Sequence, residues 1–112
     1  MRILAIEREL PAPAHFPLPD ILQEEAAAVW SLVKLNVIRD IWFTTADHCA
    51  IIMLECADAA EAQRHLATLP LVRAGQIDFI LHELRNYDGF ERLFGRGPVE
   101  PPVHLHEEPP EY

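Results

Sequence analysis

Serine is almost missing from this 112-residue chain: Ser31 stands alone. It falls on the wetter side of a predicted helix, and no Gly-x-Ser-x-Gly elbow surrounds it, which argues against nucleophilic serine chemistry. The four glycines form no phosphate-cradling loop. Lysine is as scarce, with Lys34 alone and the other eight positive charges all arginine. Eighteen acidic residues against nine basic ones give a net charge of −9. Such a chain repels phosphate backbones and anionic membrane surfaces, so neither nucleic acid nor membrane is an expected partner. No stretch approaches the ~18 consecutive apolar residues that span a bilayer. Glu7 and Glu9 interrupt the N-terminal apolar run before a signal-peptide pattern forms. The expected location is therefore cytoplasmic. Cysteine is limited to Cys49 and Cys56, seven apart in a strand-like run. An odd spacing puts them on opposite faces of one strand, where they cannot bridge, and no zinc-type spacing is present. Two small buried hydrophobes is the plain reading; a reactive thiol is the alternative.

What the chain does have is apolar mass: half of its residues are hydrophobic, enough for one core and too short a length for two. Prolines mark the joints. Pro11, Pro13, Pro17 and Pro19 predict a loop over Glu9–Pro19, and five prolines and four glutamates set off Gly95–Tyr112 as an extended acidic tail. The expected division is a folded domain over 1–94 and a Pro-rich tail over 95–112.

Between those joints the periodicity alternates. Arg2–Glu7 reads as a buried strand. Asp20 reads as a helix N-cap with Gln23 at the capping-box position, opening an amphipathic helix to about Asn36. Its predicted stripe is Leu22, Ala26, Val29 and Val33, joined by Ile21, Glu25 and Leu32. Val37–Thr45 and Cys49–Cys56 read as a hairpin turning at Ala46-Asp47-His48. Asp58 with Glu61 is a second capping box; Ala59, Ala62, Leu66 and Leu69 follow as a short helix that Pro70 stops. Gln76–Asn86 reads as the last strand. The order β-α-β-β-α-β defines an α+β, ferredoxin-like fold with a four-stranded antiparallel sheet and its helices on one face.

That architecture leaves the other sheet face bare, yet Cys49–Cys56 is apolar on both sides. Ile41 and Phe43 are expected on one face of their strand, with Ile38 and Trp42 on the other. A second copy is the simplest cover, so a homodimer or larger homo-oligomer is expected.

The string Val37-Ile38-Arg39-Asp40-Ile41-Trp42, His48 at the hairpin turn, and the Leu69-Pro70-Leu71 exit together resemble the muconolactone isomerase family, over roughly residues 1–94. The resemblance implies a dimeric α/β barrel that moves a carbon–carbon double bond in an unsaturated lactone or related small acid by proton transfer, without metal or organic cofactor. The family's isomerases carry lysine in the first helix; here Gln23-Glu24-Glu25-Ala26-Ala27-Ala28 has none. His48 matches the family's histidine and would carry a proton, its ordinary pKa near 6.5 suiting that work; a turn residue bonded to backbone is the alternative. Glu25 lies on the apolar side of its helix, where burial raises a carboxyl toward the range of a useful base; a boundary carboxylate paired with arginine is the alternative. Arg39 matches the family's arginine and would grip a substrate carboxylate, or else form a salt bridge within the assembly. Trp42 would floor a flat ligand, or simply pack. His104 and His106 alternate in the tail as adventitious metal binders. The competing function is a non-catalytic metabolite-binding or oligomeric module; a cofactor-free oxygenase is a third possibility that no residue favours.

Overall fold

The chain runs through β1 (Arg2–Glu9), α1 (Pro19–Lys34), β2 (Ile38–Phe43), β3 (Ala50–Glu55), α2 (Ala59–Leu66), α3 (Pro70–Arg73) and β4 (Ile77–Leu84), followed by a 3-10 turn at Gly89–Arg92. This computed structural model describes residues 1–11 and 19–95, so most of the expected prolyl loop, the tail beyond Gly95 and the paired tail histidines lie outside the described residues. The strands form one sheet in the order β2-β3-β1-β4, with every neighbouring pair antiparallel. The expected ferredoxin-like α+β fold is what the chain adopts. Among the described residues, no helix is long and apolar enough to cross a membrane.

Register divides the sheet into two faces. Paired residues in antiparallel strands point to the same side. Ile3 opposite Leu54, Ala5 opposite Ile52, and Ile38 opposite Leu54 therefore share the helix side. These residues are buried with Leu32 of α1, Ala62 and Leu66 of α2, and Leu69. Leu4 opposite Met53 and His82, Ile6 opposite Ile51 and Ile80, and Trp42 opposite Ile51 share the other side, which no helix among the described residues covers. Ile80 keeps 45% of its surface exposed and Trp42 keeps 50%.

The elements end where local chemistry ends them. Asn36 takes a left-handed φ of 62° after α1. Its N–H donates to Val33, and the Val37 N–H donates to Leu32, which satisfies two orphan carbonyls of the last turn. Gly75, at φ 73°, closes α3 the same way, through Gly75 N–H to Val72 and Gln76 N–H to Leu71. Asp58 caps α2 as expected: its Oδ1 accepts the Glu61 N–H at 2.8 Å, while the Glu61 carboxylate reaches back to the Ala57 N–H at 3.2 Å.

Four local expectations are corrected. Asp20 lies inside the first turn of α1, because the helix opens at Pro19. The face of α1 turned inward is Ile21, Glu25, Ala28, Val29 and Leu32, while Leu22 and Ala26 are exposed. The helix is apolar around more than half its circumference, so two overlapping stripes satisfy the same 3.6-residue period. Pro70 begins α3 at its first turn rather than merely ending a helix; its fixed φ and missing donor suit that position. Finally, a register shift between Ile38 and Asp40 inserts Arg39 as an extra residue in β2. The bulge resets the alternation, so Ile38 shares the helix side with Ile41 and Phe43, and of these four apolar residues Trp42 alone faces the open side.

Candidate functional site

Glu7 and Glu25 lie within electrostatic reach of each other at the end of the helix–sheet layer where β1 finishes and β3 begins. Alternation along β1 puts Ile3, Ala5 and Glu7 on one side, so Glu7 occupies a core-facing position at the strand's end. Its Oε1 accepts the Ala50 N–H at 3.1 Å. Glu25 projects from the inward face of α1, and its Oε1 accepts the Leu71 N–H at 2.9 Å. That amide is one of the orphan donors of α3, whose N-cap, Leu69, offers no side-chain acceptor. A carboxylate from a different helix thus caps α3.

Burial pushes the Glu25 carboxyl up from its ordinary value, the Leu71 amide opposes that, and the negative charge of Glu7 adds to the rise. Half-buried, hydrogen-bonded and facing a second carboxylate, Glu25 is poised to hold a proton at higher pH than a surface glutamate. Cys49 stands beside the pair. Its thiol is pushed up by desolvation and then by the charges of Glu7, Asp47 and Glu9, so it is a poor nucleophile.

His48 sits in the β2–β3 turn at this same end. It has a left-handed φ of 54°, and its ring stacks on Phe43 with centroids 4.0 Å apart. Its N–H donates to the Thr44 carbonyl, and Thr44 in turn receives the Cys49 N–H on its hydroxyl. The imidazole is exposed. Backbone bonding fixes the turn, and the stacking fixes the ring.

Trp42 and Arg39 lie elsewhere. Trp42 is near this end but on the open face, with the sheet between it and Glu25. Arg39 is at the far end of β2, where its Nε donates to the Asn36 carbonyl. The hydrogen bond from the Met1 amino group, and beyond it the charges of that group, Arg39 and Arg2, hold the Glu55 carboxyl below its usual range against the opposing effect of burial. Ala50 and Glu55 bound β3, so the two ends are about 17 Å apart at about 3.4 Å per residue. An open groove of about 680 Å³ runs along the Arg39 end, lined by Arg2, Met53, Glu55, Leu84, Arg85 and Tyr87 among others. The structure therefore brings Glu25 and His48 to one end of the sheet and sets Arg39 apart from them.

Glu7 is the site residue that sequence reasoning missed, having been read only as a break in an apolar run. The signal was available: in a strand alternating Ile3, Ala5, Glu7, the acid falls on the buried parity.

No protein-family model matches the chain, and no curated protein matches it in sequence. Among solved structures, the fold is similar to that of 5-chloro-2-hydroxyhydroquinone dehydrochlorinase from Burkholderia phenoliruptrix AC1100, in complex with 2,5-dihydroxybenzoquinone. The TM-score is 0.56 at 14% sequence identity, over 80% of this chain and 98% of that one. At that identity the likeness establishes the fold alone: this chain is α+β with one open four-stranded antiparallel sheet, and the neighbour's fold is a dimeric α/β barrel of the muconolactone isomerase-like kind.

Proposed function

We propose that the protein is a homodimeric small-molecule-binding protein of the dimeric α/β-barrel class, and that Glu25 transfers a proton on an unsaturated lactone or related small acid, shifting a carbon–carbon double bond. The observation that carries this reading is Glu25 itself: a half-buried carboxyl, raised by burial and by Glu7, and pinned by the Leu71 amide. A general base needs that combination of fixed position and tuned affinity for a proton. His48, at the same end, is the second proton carrier. The similar dehydrochlorinase was solved with a small flat quinone bound, which supports small-molecule binding in this fold. No cofactor enters the proposed chemistry, since carbon acids beside a carbonyl are activated by a base and a hydrogen-bond donor alone.

The groove at the opposite end favours a second reading. There Arg2 and Arg85 flank the apolar Met53 and Leu84, with Arg39 in electrostatic reach of the same Glu55. An acidic chain that gathers arginines against apolar walls suits a carboxylate-bearing ligand held without turnover. In this reading Arg39 anchors the carboxylate, and Trp42, near the other end of the open face, lies outside the groove.

One experiment separates the two. The protein is incubated in deuterium oxide with a carboxylate-bearing unsaturated five-membered lactone, and deuterium uptake and double-bond position are followed by NMR. Under the leading reading, exchange is catalysed, slows by about 10²-fold or more in Glu25→Gln, and persists in Arg39→Ala. Binding without exchange, lost in Arg39→Ala and intact in Glu25→Gln, selects the second reading. Neither binding nor exchange rejects both.

A further inference from the structure

Where β3 gives way to α2, three chemically distinct side chains converge. Cys56 follows the last residue of β3 and is 5% exposed. Glu61 lies in the first turn of α2 and His65 one turn later, four residues on. One ligand atom from each, Sγ, a carboxylate oxygen and an imidazole nitrogen, all lie within 4.8 Å of one another. Glu61 Oε1 and His65 Nε2 are 3.7 Å apart. We propose that Cys56, Glu61 and His65 form a binding site for a borderline-soft divalent transition metal ion of the zinc kind.

The distances suit it. Tetrahedral zinc with bonds of about 2.0–2.3 Å sets its ligand atoms about 3.4–3.6 Å apart. Glu61 and His65 therefore need to close by only a few tenths of an ångström, and the thiol by rotation about one side-chain bond. The donor set suits it as well. Thiolate and imidazole together select zinc-like ions over magnesium or calcium, which take oxygen ligands. Thiolate and carboxylate also bring two negative charges to a divalent cation, with imidazole neutral.

The local structure fixes the ligands in advance. Asp58 caps α2 and so sets where Glu61 and His65 project. Glu61 Oε2 is occupied by the Ala57 N–H, leaving Oε1 turned toward His65. That is the outer-shell hydrogen bond that orients a ligating carboxylate. The Cys56 N–H donates to the Met1 carbonyl, which ties the thiol's backbone to the start of β1. Glu55 and Asp58 stand close enough to Cys56 to act on its thiol along with Glu61, and the Met1 amino group offsets them only in part. An excess of negative charge around a buried thiol favours a cation there. His65 and Glu61 are each about one-third exposed, so the ion is reachable and keeps an outer position for water.

The spacing Cys-x4-Glu-x3-His explains why the sequence hides this site. No second cysteine or histidine follows at finger-like intervals, and the residues come together only because β3 ends against the first turn of α2.

The test is titration of the reduced full-length chain with cobalt(II). The expected result is one equivalent bound, with a thiolate-to-cobalt charge-transfer band in the near ultraviolet and the intense visible bands of a four-coordinate ion, both displaced by zinc. Cys56→Ser abolishes the charge-transfer band, and His65→Ala weakens binding at least tenfold. Cys49→Ser and the double variant His104→Ala/His106→Ala leave both unchanged. Circular dichroism checks each fold; should Cys56→Ser fail to fold, His65→Ala, one-third exposed on a helix surface, carries the test. Absence of the charge-transfer band, its survival in a folded Cys56→Ser, undiminished binding in His65→Ala, or its loss with Cys49 or the tail histidines overturns the proposal.

Discussion

Truncating Ile80 to alanine tests whether a second copy covers the open face. Ile80 pairs with Ile6 on that face and keeps 45% of its surface exposed in the single chain. Complete burial of an isoleucine side chain contributes about 1.5–3 kcal/mol. Covering the remaining part contributes about 0.7–1.3 kcal/mol, most of which alanine forfeits. A two-fold interface contains the residue twice, so the dimer loses up to about 1.4–2.6 kcal/mol. At 1.4 kcal/mol per power of ten, Kd rises about tenfold to nearly a hundredfold. Sedimentation velocity across a dilution series reads this directly. Leu22→Ala is the matched control: Leu22 is 51% exposed, but on α1, away from the open face. It is expected to leave Kd unchanged. The reasoning fails if the wild-type chain sediments as a stable monomer at micromolar concentration. It fails equally if Leu22→Ala weakens the dimer and Ile80→Ala does not, because the interface then lies on the helix layer.

Two further outcomes follow from named contacts. Asp58→Ala removes the acceptor of the Glu61 N–H and should cost about 1 kcal/mol in urea unfolding with a chelator present, within a range of about 0.5–2, whereas Asp58→Asn should restore most of it; equal stability of the alanine variant would show that the cap contributes nothing. Glu25→Gln keeps an oxygen for the Leu71 N–H and removes the charge. The folded chain holds the Glu25 proton more tightly than the unfolded one. Its contribution to stability is therefore complete below the ordinary carboxylate range and is lost as pH rises through the raised value. Wild type and variant should match near pH 4, and the variant should be the more stable at pH 7.5 by chemical denaturation. A variant less stable at pH 7.5 would mean that the ionised carboxylate's bond to Leu71 outweighs its burial.

The fold was legible because each level agreed. Apolar strand runs, the Asp58–Glu61 capping box and proline joints all pointed to one element order, and the doubly apolar run of β3 pointed to a bare sheet face. What was not legible has physical causes. The inward stripe of α1 is ambiguous in a helix with apolar residues on most sides; Ile21, Glu25, Val29, Leu32 and Val33 turn inward against the sheet as expected, while Leu22 and Ala26 stay exposed. The bulge at Arg39 follows from no residue in the string, since any side chain can occupy it, yet it decides which face Ile38 joins. Glu25 and His48 fall at one end of the sheet, and their roles rest on the proposed function. Glu7 was concealed by the habit of treating an acid as solvated, and Cys56, Glu61 and His65 by depending on where a strand meets a helix.

The two carboxylates at the β1 end illustrate how structural and chemical roles share atoms. Glu25 and Glu7 each give one oxygen to a backbone amide, Leu71 and Ala50 respectively. Those bonds hold the carboxyl groups still, which a surface glutamate achieves only at the cost of about 1.5–2 kcal/mol of rotamer freedom. Accepting a hydrogen bond favours the ionised form; burial and the neighbouring charge oppose it. For Glu25 burial dominates, so the group is immobilised without being made more acidic. A carboxyl whose anchoring bond dominated would be equally rigid but too weak a base to remove a proton from carbon. The same reasoning separates the two ends of the sheet. At the Arg39 end, Glu55 meets the Met1 amino group, Arg2 and Arg39 and is drawn toward ionisation, a setting for binding anions beside it. On the proposed function, proton transfer falls at the Glu25 end; on the rival reading, carboxylate capture falls at the end where Arg2, Arg39 and Arg85 gather.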